Sequence, residues 1–307
     1  MSQPKIAILC GGVSEEKEVS LNSGRSLFKI FRNQNLEVEL FKMTTKILPK
    51  RIVPEIHAIF PALHGNFGEN GEIQGILEAE AFSYAGSGPE SSALCFDKVR
   101  TKQRVKMAGL EVASDMVIDA TCWPKAHEIL NTLGESIVVK PVCQGSSVGL
   151  TFANGPQALQ TIIKSIKSGR WILEKRIYGR EITVGLLDGK SLGLVEVLPE
   201  GGVYDFSHKY TPGITKYNYP AEVNPEIEQK VRDAAETAFM VCGCRDFARV
   251  DFILTKDDEA YFLEINTIPG LTSTSLFPKS ASCRGYDFPA LANALIVPVL
   301  QRFKMLN

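Results

Sequence analysis

The chain has 307 residues, of which 44% are hydrophobic and 22% are charged, and its formal net charge at pH 7 is -1. At roughly 150 residues per domain, this length predicts about two domains, or three if they are small. The composition is that of a globular protein and argues against disorder. A near-zero charge gives no reason to expect nucleic acid or an anionic membrane as a partner, so a bound anion must be held by local cations.

Seven cysteines are scattered along the chain, at positions 10, 95, 122, 143, 242, 244 and 283. None belongs to a C-x-x-C pair of the kind that zinc sites use, and we expect reduced thiols. The first apolar run is shorter than the core of a secretion signal, and no segment approaches the roughly 18 apolar residues of a membrane span. We therefore expect a cytoplasmic protein that has no membrane partner.

The first third of the chain alternates strand-like and helix-like segments. Strands are predicted at "KIAILC", "VELFKM", "AIFPAL" and "FSYAG", and helices after "GGVSEEKEVS" and at "EIQGILEAEA". Strands that alternate with helices form a parallel sheet. The glycine- and serine-rich stretch "GSGPESS" predicts a turn that closes this unit near residue 92.

The rest of the chain has a different pattern. It begins with a basic helix, "KVRTKQRVKMAG", and continues with strands at "SIVVKP", "VGLTFA" and "WILEKRI". Further helices are predicted at about 156–168, 226–241 and 287–303, and strands dominate between about 181 and 267. This pattern is typical of α+β units that follow a small parallel α/β domain.

The segment "RDFARVDFILTKDDEAYFLEIN" has two alternating runs around a polar turn, which predicts a β-hairpin. A turn centred on the two aspartates pairs three positions across the hairpin: Asp251 with Glu264, Arg249 with Asn266, and Ile253 with Phe262. Because strand side chains alternate, all six are expected on one face. That face is apolar near the turn and polar at the far end.

Asp251 directly opposite Glu264 is destabilising unless a positive charge offsets the pair. One explanation is a salt bridge to Arg249 in an ordinary solvated sheet. The other is a divalent cation held by Asp251, Glu264 and Asn266, since oxygen ligands of this kind suit Mg²⁺. The apolar residues on the same face argue against full exposure, and an arginine beside a metal is typical of a phosphoryl-transfer site.

Two further segments could hold a nucleotide. "VVKPVCQGSSVG" places Lys140 before a small-residue turn whose backbone N–H groups and hydroxyls could meet an anion, although such a turn is a weak signal alone. "WILEKRIYGREIT" could hydrogen-bond a base edge through its backbone, or it could be an edge strand with polar ends. Neither a Walker A nor a G-x-G-x-x-G pattern is present, so the sequence gives no support for a P-loop or Rossmann site.

Several long motifs resemble one family. They are "KIAILCGGVSEEKEVSLNSG", "PALHGNFGENGEIQG", "GSGPESSALCFDK", "VVKPVCQGSSVG", "EKRIYGREITVG", "HKYTPGITKY", "RVDFIL" and "EINTIPGLTSTSLFP", in order from about residue 5 to 278. Together they strongly resemble the D-alanine:D-alanine ligases, ATP-grasp enzymes of peptidoglycan synthesis.

The resemblance implies a fold class of α/β and α+β type, an ATP-grasp fold with an N-terminal parallel α/β domain. The expected domains are 1–96, which binds the first D-alanine, a central ATP-grasp subdomain at 97–180, and a C-terminal subdomain at 181–307 with the metal site and a lid loop. The two ATP-grasp subdomains clamp ATP between their sheets. The family also implies a homodimer.

The resemblance assigns the nucleotide and metal positions. The residues that would contact ATP are Lys98, Lys140, Ser146, Ser147, Glu174, Lys175, Ile177, Glu181 and Lys209. The Mg²⁺ ligands of the family fall on Asp251, Glu264 and Asn266, the positions that the hairpin pairing also indicates. We expect two Mg²⁺ ions, with Mn²⁺ able to replace them.

The resemblance also assigns the first substrate and a lid. Glu16 matches the carboxylate that pairs with the ammonium group of the first D-alanine, although a glutamate at a helix N-terminus has a structural explanation as well. His64 matches a substrate-side histidine, for which a structural role is the alternative. Lys209 and Tyr210 match a lid, with Tyr210 linking to Ser146 and Glu16. A lid would exclude water from a hydrolysable intermediate.

The implied reaction is phosphorylation of the first D-alanine by ATP to an acyl phosphate, followed by attack of the amine of the second through a tetrahedral intermediate. Arg249 and the backbone N–H of Gly270 match the donors that stabilise the oxyanion. Ser275 and Leu276 match the positions that hold the carboxylate of the second D-alanine.

Two positions depart from the family pattern. Residue 70 is Asn where Asp is common, and Gln144 stands where Glu is frequent in the serine loop. Alternatives to a D-alanine ligase are a ligase on the same scaffold that uses D-lactate or D-serine as second substrate, and a non-catalytic nucleotide-binding protein. Tyr210 favours D-alanine as the second substrate.

Overall fold

The N-terminal part of the chain forms a small parallel sheet. The structure is a computed structural model that describes residues 4–199 and 215–306. The first strands and helices are β1 (Lys5–Gly11), α1 (Lys17–Asn33), β2 (Val38–Met43), β3 (His57–Pro61) and α2 (Glu72–Ala79). The strands lie in the order β2-β1-β3 and pair in parallel, so the predicted parallel unit is confirmed.

The sequence of β1 explains its central position. Its residues from Ile6 to Cys10 are all buried, which requires cover on both faces of the sheet. Helix α1 packs closely on one face because it carries Gly24 there: a Cβ atom at this position would lie only 2.5 Å from the Cβ of Cys10. Leu27 and Phe31, one helical turn apart, fill the same interface.

Two predictions for residues 82–92 are wrong. "FSYAG" forms only a single parallel bridge, between Tyr84 and Ile59, instead of a strand. "GSGPESS" does not end in a turn, because Pro89 begins α3 (Pro89–Phe96). A proline at the first helical position loses no hydrogen bond and has the φ angle that a helix needs, so the same residues that suggested a turn start a helix.

The basic helix is confirmed as α4 (Lys98–Met107), followed by the short strand β4 (Glu111–Val112). Its start is defined by Asp97, whose side chain accepts hydrogen bonds from the backbone N–H groups of Val99 and Arg100, both at 3.0 Å. This N-cap fixes the position of Lys98, the first residue of the helix.

A four-stranded sheet follows, covered by two helices. Its elements are β5 (Asp115–Asp119), α5 (Ala126–Leu133), β6 (Ser136–Pro141), β7 (Thr151–Asn154), α6 (Gly155–Ser165) and β8 (Arg170–Lys175). The strand order is β5-β8-β6-β7, and every pair is antiparallel. Leucines and isoleucines of α5, such as Ile129 and Leu133, pack with Leu159 of α6 to cover one face.

The third sheet has six strands. The remaining elements are β9 (Arg180–Leu187), β10 (Lys190–Pro199), β11 (Thr215–Asn218), α7 (Pro225–Val241), β12 (Phe247–Leu254), β13 (Ala260–Asn266), α8 (Leu276–Ser282) and α9 (Phe288–Leu306). The order is β11-β10-β9-β12-β13-β4, antiparallel except where β4 pairs with β13. The strand β4, from the region 97–180, therefore lies in the sheet of the region 181–307, and the predicted domain limits stay a prediction.

Helix α9 returns to the N-terminal part of the molecule. Its residues Leu295, Val299 and Phe303 share one hydrophobic core with Ile6 and Ile8 of β1. Helix α9 is thus packed against β1, and this core continues to Phe277 of α8, which lies on the six-stranded sheet.

The hairpin of β12 and β13 differs from its prediction at one point. Arg249 opposes Asn266 and Asp251 opposes Glu264 as predicted, but Phe252 then opposes Phe262 because Leu263 is an extra residue in β13. The predicted pair of Ile253 and Phe262 is wrong. A β-bulge of this kind reverses the side-chain alternation beyond it.

The consequence of the bulge is an exchange of faces. Phe262 is turned into the core, where its ring meets that of Phe252 edge-on with centroids 6.1 Å apart. Leu263 takes its place on the opposite face of the sheet, beside the two carboxylates and Ile253, which lies on this face as predicted. Among the described residues, no helix combines the length and the apolar character that crossing a bilayer requires.

Phe247 lies in this core between the N-terminal sheet and α8, which makes it a test of the packing. Its ring stacks on Phe60 of β3 with centroids 5.9 Å apart and meets Phe277 at 6.2 Å. We expect Phe247→Ala to lower the free energy of unfolding by about 3–5 kcal/mol. The substitution removes a buried ring and leaves a cavity between Phe60 and Phe277 that these neighbours fill only in part. Urea denaturation followed by far-UV circular dichroism measures this loss.

Met240→Ala is the matched control, since Met240 is 71% exposed at the end of α7. It should change the unfolding free energy by less than about 0.5 kcal/mol. Equal losses in the two variants would contradict the assignment of Phe247 to a shared core.

Candidate active site

A pocket of about 430 Å³ lies between the four-stranded and the six-stranded sheets. We call it the inter-sheet pocket. The residues predicted to contact ATP that line it are Lys98, Lys140, Ser147, Glu174, Lys175, Ile177 and Glu181. Its walls are mainly apolar, with Ile253 and Leu263 from the bulged hairpin, and charged side chains come from both sheets. Such a lining is typical of a site for a small molecule that has apolar and charged parts.

Glu174 is the centre of a buried charge network in this pocket. Its two carboxylate oxygens each accept a hydrogen bond at 2.6 Å, one from Lys102 Nζ and one from Lys140 Nζ. Lys102 also contacts the Asp115 carboxylate at 2.8 Å and donates to the carbonyl of Ala113 at 2.9 Å. Two lysines and two acids form a neutral set, which allows Glu174, Lys102 and Lys140 to remain charged although they are buried.

The network determines the protonation of Glu174. Burial by itself raises the pKa of this carboxyl group, but the ammonium groups of Lys140 and Lys102 outweigh burial and hold the pKa below its ordinary value. Glu174 is therefore ionised at neutral pH and keeps Lys140 in a fixed direction.

A second pocket, of about 550 Å³, lies where the N-terminal sheet, the segment 144–146 and the end of β13 meet. We call it the junction pocket. The predicted site residues that line it are Glu16, His64, Lys98, Ser146, Arg249, Glu264, Asn266, Gly270, Ser275 and Leu276. Lys98, Gln144 and Glu264 line both pockets, so the two pockets meet at these side chains.

Glu16 is buried at the junction pocket and faces the serine loop. Its carboxylate accepts a hydrogen bond from Ser146 Oγ. Gly65 and Gly145 make room for this carboxylate, because a Cβ atom at either position would lie 2.6 Å from Glu16 Oε2. A side chain at residue 65 or 145 would displace Glu16.

The serine loop has an unusual backbone. Ser146 and Ser147 both have positive φ angles, 52° and 57°, a region that L-residues other than glycine rarely adopt. Two consecutive residues of this type cost a few kcal/mol, which the surrounding structure must offset. The strain supports a functional role for this loop, since it directs one serine to each pocket.

Lys98 connects the loop to the hairpin. Its ammonium group donates to the backbone carbonyl of Gln144 at 2.5 Å and lies 3.8 Å from the Glu264 carboxylate. Because Lys98 lines both pockets, its ammonium group is close to any chemical group that is transferred from a molecule in one pocket to a molecule in the other.

The predicted metal ligands meet one another as the hairpin pairing indicates. Asp251 is 5% exposed and lies directly across from Glu264. Arg249 binds the Asp251 carboxylate through two nitrogens, with Nη2 at 2.8 Å and Nε at 3.0 Å, and Thr183 donates a further hydrogen bond. The salt bridge to Arg249 is present, but the solvated sheet of that explanation is wrong because the carboxylate is buried.

The donor set fits a hard cation. Asp251, Glu264 and Asn266 offer two carboxylates and one amide oxygen at the border of the two pockets. The Asn266 side-chain oxygen accepts from the backbone N–H of Ile268 at 2.9 Å, which fixes its orientation. Within residues 4–199 and 215–306, no group of three or more His, Cys, Asp and Glu side chains could hold a metal, so a metal here depends on the asparagine and on waters or phosphate oxygens.

His64 is buried and held from both sides. Its Nε2 lies 2.9 Å from Ser23 Oγ, and its Nδ1 lies 3.5 Å from the Glu69 carboxylate. Ser23 Oγ in turn accepts from the backbone N–H of Leu271 at 3.2 Å. Ser23 of helix α1 thus links His64 to the residue that follows Gly270, which gives the histidine a structural role, and the histidine also lines the junction pocket.

The turn after β13 brings Gly270 and Ser275 together. A Cβ atom at Gly270 would lie 2.9 Å from Ser275 Oγ, so a larger residue would push the serine away. Ser275 Oγ accepts from the backbone N–H of Thr272 at 3.2 Å, and Ser275 precedes the first residue of α8, Leu276. Lys209 and Tyr210, the predicted lid residues, lie outside the described residues.

The chain resembles known proteins in both sequence and fold. Residues 105–297 match the family model described as D-ala D-ala ligase C-terminus. The chain is 39% identical to the D-alanine--D-alanine ligase of Anaeromyxobacter dehalogenans strain 2CP-1 over 95% of its own length and 96% of that protein. The chain belongs to the D-alanine–D-alanine ligase family.

Solved structures agree with this membership. The D-alanine--D-alanine ligase of Bacillus anthracis in complex with ATP superposes with a TM-score of 0.86 at 28% identity, covering 99% of this chain and 100% of that one. The VanG D-Ala:D-Ser ligase of Enterococcus faecalis gives a TM-score of 0.81, also at 28% identity, over 97% and 100% of the two chains. The predicted ATP-grasp fold with a parallel α/β domain before it is confirmed.

The two departures from the family pattern have different surroundings. The Asn70 amide donates to Asn66 and to the Glu72 carboxylate, both at 2.6 Å. An aspartate here would face that carboxylate with a like charge, so the amide suits its neighbours. Gln144 lines both pockets and offers its backbone carbonyl to Lys98.

Lys102 is the main residue that sequence reasoning missed. It is 3% exposed, although it belongs to a helix in which basic residues dominate. The one signal in the sequence is its spacing, since Lys98 and Lys102 are four residues apart and lie on one face of the helix. The register that brings Glu174 and Asp115 beside it arises from the pairing of β5 with β8 and is not visible in the helix itself.

Replacing Lys102 tests whether the network serves nucleotide binding in this family member. In Lys102→Met the side-chain volume is kept, but the carboxylates of Glu174 and Asp115 lose their shared cation. Lys140 is then the one cation left for two carboxylates in this set. We expect ATP affinity to fall by roughly tenfold, about 1.4 kcal/mol, in calorimetric titration with ATP and Mg²⁺.

Lys106→Met, on the exposed side of the same helix, is the matched control and should bind ATP as the parent does. An unchanged dissociation constant in Lys102→Met, together with a lowered melting temperature, would restrict Lys102 to folding.

Proposed function

We propose that this protein is an ADP-forming ligase that uses ATP to join two D-alanine molecules into D-alanyl-D-alanine, for the synthesis of peptidoglycan precursors. The observation that carries this conclusion is the meeting of two pockets at Lys98, Gln144 and Glu264, one with a lining suited to a nucleotide and one with a lining suited to small charged substrates. Family membership along 95% of the chain supports the same reaction.

ATP would occupy the inter-sheet pocket. Ile253 and Leu263 offer apolar contact for the adenine ring, and Glu181 is available to the ribose hydroxyls. Lys140, held by Glu174, would then point its charge at the phosphates, and Lys98 would meet the terminal phosphate at the border of the pockets. Ser146, Ser147 and Lys209 are proposed as the loop and lid contacts of the phosphates.

Asp251, Glu264 and Asn266 are proposed to hold Mg²⁺, with two ions as the expected number and Mn²⁺ as a substitute. When bound, the metal supplies charge neutralisation for the transferring phosphoryl group. The protein contributes the fixed direction of the ligands: Arg249 and Thr183 orient Asp251, and the strand pairing sets Glu264 beside it.

The junction pocket would hold the two D-alanines. The carboxylate of Glu16, buried against the serine loop, is suited to the ammonium group of the first. Arg249 and the backbone N–H of Gly270 are proposed to stabilise the negative oxygen that forms when the second amine attacks the acyl phosphate. Ser275 and Leu276, at the start of α8, are proposed to hold the carboxylate of the second, since a helix N-terminus favours an anion.

The lid formed by Lys209 and Tyr210 is part of this proposal, as are a homodimeric assembly and a cytoplasmic location. The lid would protect the acyl phosphate from water. A non-catalytic role is disfavoured because Arg249 and both carboxylates are present and directed to the pockets. D-serine is the alternative acceptor, and one solved relative is named as a D-Ala:D-Ser ligase.

An acceptor-competition assay tests the reaction. Purified protein is mixed with ATP, Mg²⁺ and D-alanine, with equimolar D-serine and D-lactate present, and the products are identified by mass. We expect D-alanyl-D-alanine as the main product, with one ADP for each peptide bond. Absence of ADP release would refute the assignment as a ligase. A mixed dipeptide as the main product would identify D-serine as the second substrate, and a depsipeptide would identify D-lactate.

A second test concerns the metal ligands. Glu264→Gln keeps the shape of the side chain but removes its charge, and we expect turnover to fall by roughly 100-fold or more, since a catalytic metal contributes several kcal/mol to the transition state. Stability should change little, because the substitution also removes the repulsion from Asp251.

Glu259→Gln in the same hairpin is the control. Glu259 is exposed and pairs with Lys230 at 3.4 Å. It lies at the turn of the hairpin, whereas Asp251 and Glu264 pair further along the two strands, where they line the pockets. It should retain normal turnover and normal Mg²⁺ dependence. Near-normal turnover in Glu264→Gln would refute the metal assignment.

A further inference from the structure

Three cysteine thiols converge at the end of helix α3, although their positions in the sequence are far apart. Cys95 lies in the last turn of α3, and Cys242 and Cys244 lie in the short link between α7 and β12. The Cys95 Sγ and Cys244 Sγ atoms are 3.7 Å apart, and Cys95 also has a hydrogen-bonding contact with Cys242. The proposed ligase reaction uses none of them.

The two closest thiols have different surroundings. Cys244 is partly exposed, and Ser91 Oγ donates to its sulfur at 3.6 Å. The hydrogen bond from Cys95 is the largest of the effects that hold the pKa of Cys244 below its ordinary value, with the hydroxyls of Ser91 and Ser87 adding to it against burial. Hydrogen bonding with Cys242 and Cys244, together with burial, raises the pKa of Cys95 well above its ordinary value. One sulfur is thus suited to be a thiolate while its neighbour keeps its proton.

One member of the pair, Cys95, lies at the wall of the junction pocket. Cys95 and Phe96 both line that pocket, and Asp97 then caps the helix that begins at Lys98. On the other side, Cys244 lies three residues before β12, the strand that carries Arg249. A covalent bond between the two sulfurs would join the element that positions Lys98 to the element that positions Arg249.

We propose that Cys95 and Cys244 form a reversible disulfide when the protein meets a hydroperoxide. The Cys244 thiolate attacks the peroxide O–O bond, which gives a sulfenic acid on Cys244 and releases the alcohol or water of the reduced peroxide. The Cys95 sulfur, as it loses its proton, then attacks the sulfenic sulfur and expels water. The two thiols together lose two electrons to the peroxide, and a dithiol reductant restores them.

Formation of the bond requires a local movement. The sulfur atoms must approach from 3.7 Å to about 2.05 Å. Cys95 lies in the last turn of α3 and Cys244 in the link before β12, where a small shift is possible without disturbing the sheets. The shift draws Cys95 away from the pocket wall and moves the start of α4 with it, so we expect ligase turnover to fall several-fold in the oxidised protein. Only this consequence for turnover rests on the proposed function.

Mass spectrometry tests the bond itself. The exposed cysteines at 122 and 143 are first replaced by serine, so that their oxidation cannot interfere. After treatment with hydrogen peroxide and blocking of the remaining thiols, trypsin releases Cys95 in the peptide 52–98 and Cys244 in the peptide 233–245. We expect these two peptides to be linked, with the loss of two hydrogen atoms, and to separate on treatment with dithiothreitol.

The peptide 233–245 contains both Cys242 and Cys244, so variants must distinguish them. We expect the link to persist in Cys242→Ala and to disappear in Cys244→Ala and in Cys95→Ala. A link that survives in Cys244→Ala, or peroxide-treated protein in which Cys95 and Cys244 are still fully alkylated by iodoacetamide, would overturn the proposal.

Turnover is measured on the same samples before and after dithiothreitol. A fall that is reversed by the reductant in the parent and in Cys242→Ala, and absent in Cys95→Ala, supports the effect on the pocket. A disulfide that forms without any change in turnover overturns that effect. The reduced protein could show no ligase activity at all, while the peroxide-treated protein still yields the linked peptides. The proposed function would then fail and the disulfide would stand.

Discussion

The structure depends on two carboxylates that the hairpin forces together. Asp251 and Glu264 are paired across adjacent strands, in a cleft from which much of the water is excluded, and like charges in this position repel. Arg249 binds one of them and Lys98 approaches the other. The proposed reaction uses the same two cations, Lys98 at the terminal phosphate and Arg249 at the negative oxygen of the intermediate. The same side chains therefore stabilise the fold and serve the chemistry. The serine loop is connected to this centre through Lys98, and α3 and α4 are connected to it through the cap at Asp97.

A similar principle applies one layer further into the inter-sheet pocket. Glu174, Lys140 and Lys102 bury three charges, and Asp115 at the edge of the group makes the set neutral, so removing one member leaves an uncompensated charge beside a buried ion pair. Such a set is a poor source of stability compared with apolar packing of equal volume. The set instead fixes the orientation of Lys140, because a lysine held at 2.6 Å by a carboxylate has few alternative orientations.

Much of the fold could be predicted from local patterns, and the exceptions have physical reasons. The alternation in β12 and β13 and the polar turn between them were sufficient to pair Asp251 with Glu264. They were not sufficient to find the bulge, because Phe262 and Leu263 are both apolar and either could face the core. The start of α3 was hidden because Pro89 favours a turn and a first helical turn alike. Lys102 was hidden because its burial depends on a neighbouring sheet and not on its own helix. Long motifs could identify the site residues, but local sequence could not show which cations balance which acids.

The packing of α9 on the first sheet has a consequence for the order in which the chain folds. The strand β1 is synthesised long before α9, yet the core around it includes Leu295, Val299 and Phe303 of that helix. Until these residues have emerged, the apolar face of β1 that they cover is exposed or is bound by another partner, and such a surface invites association with other chains. The N-terminal unit therefore cannot mature as an independent module during synthesis. Its core is complete only after α9 has been synthesised.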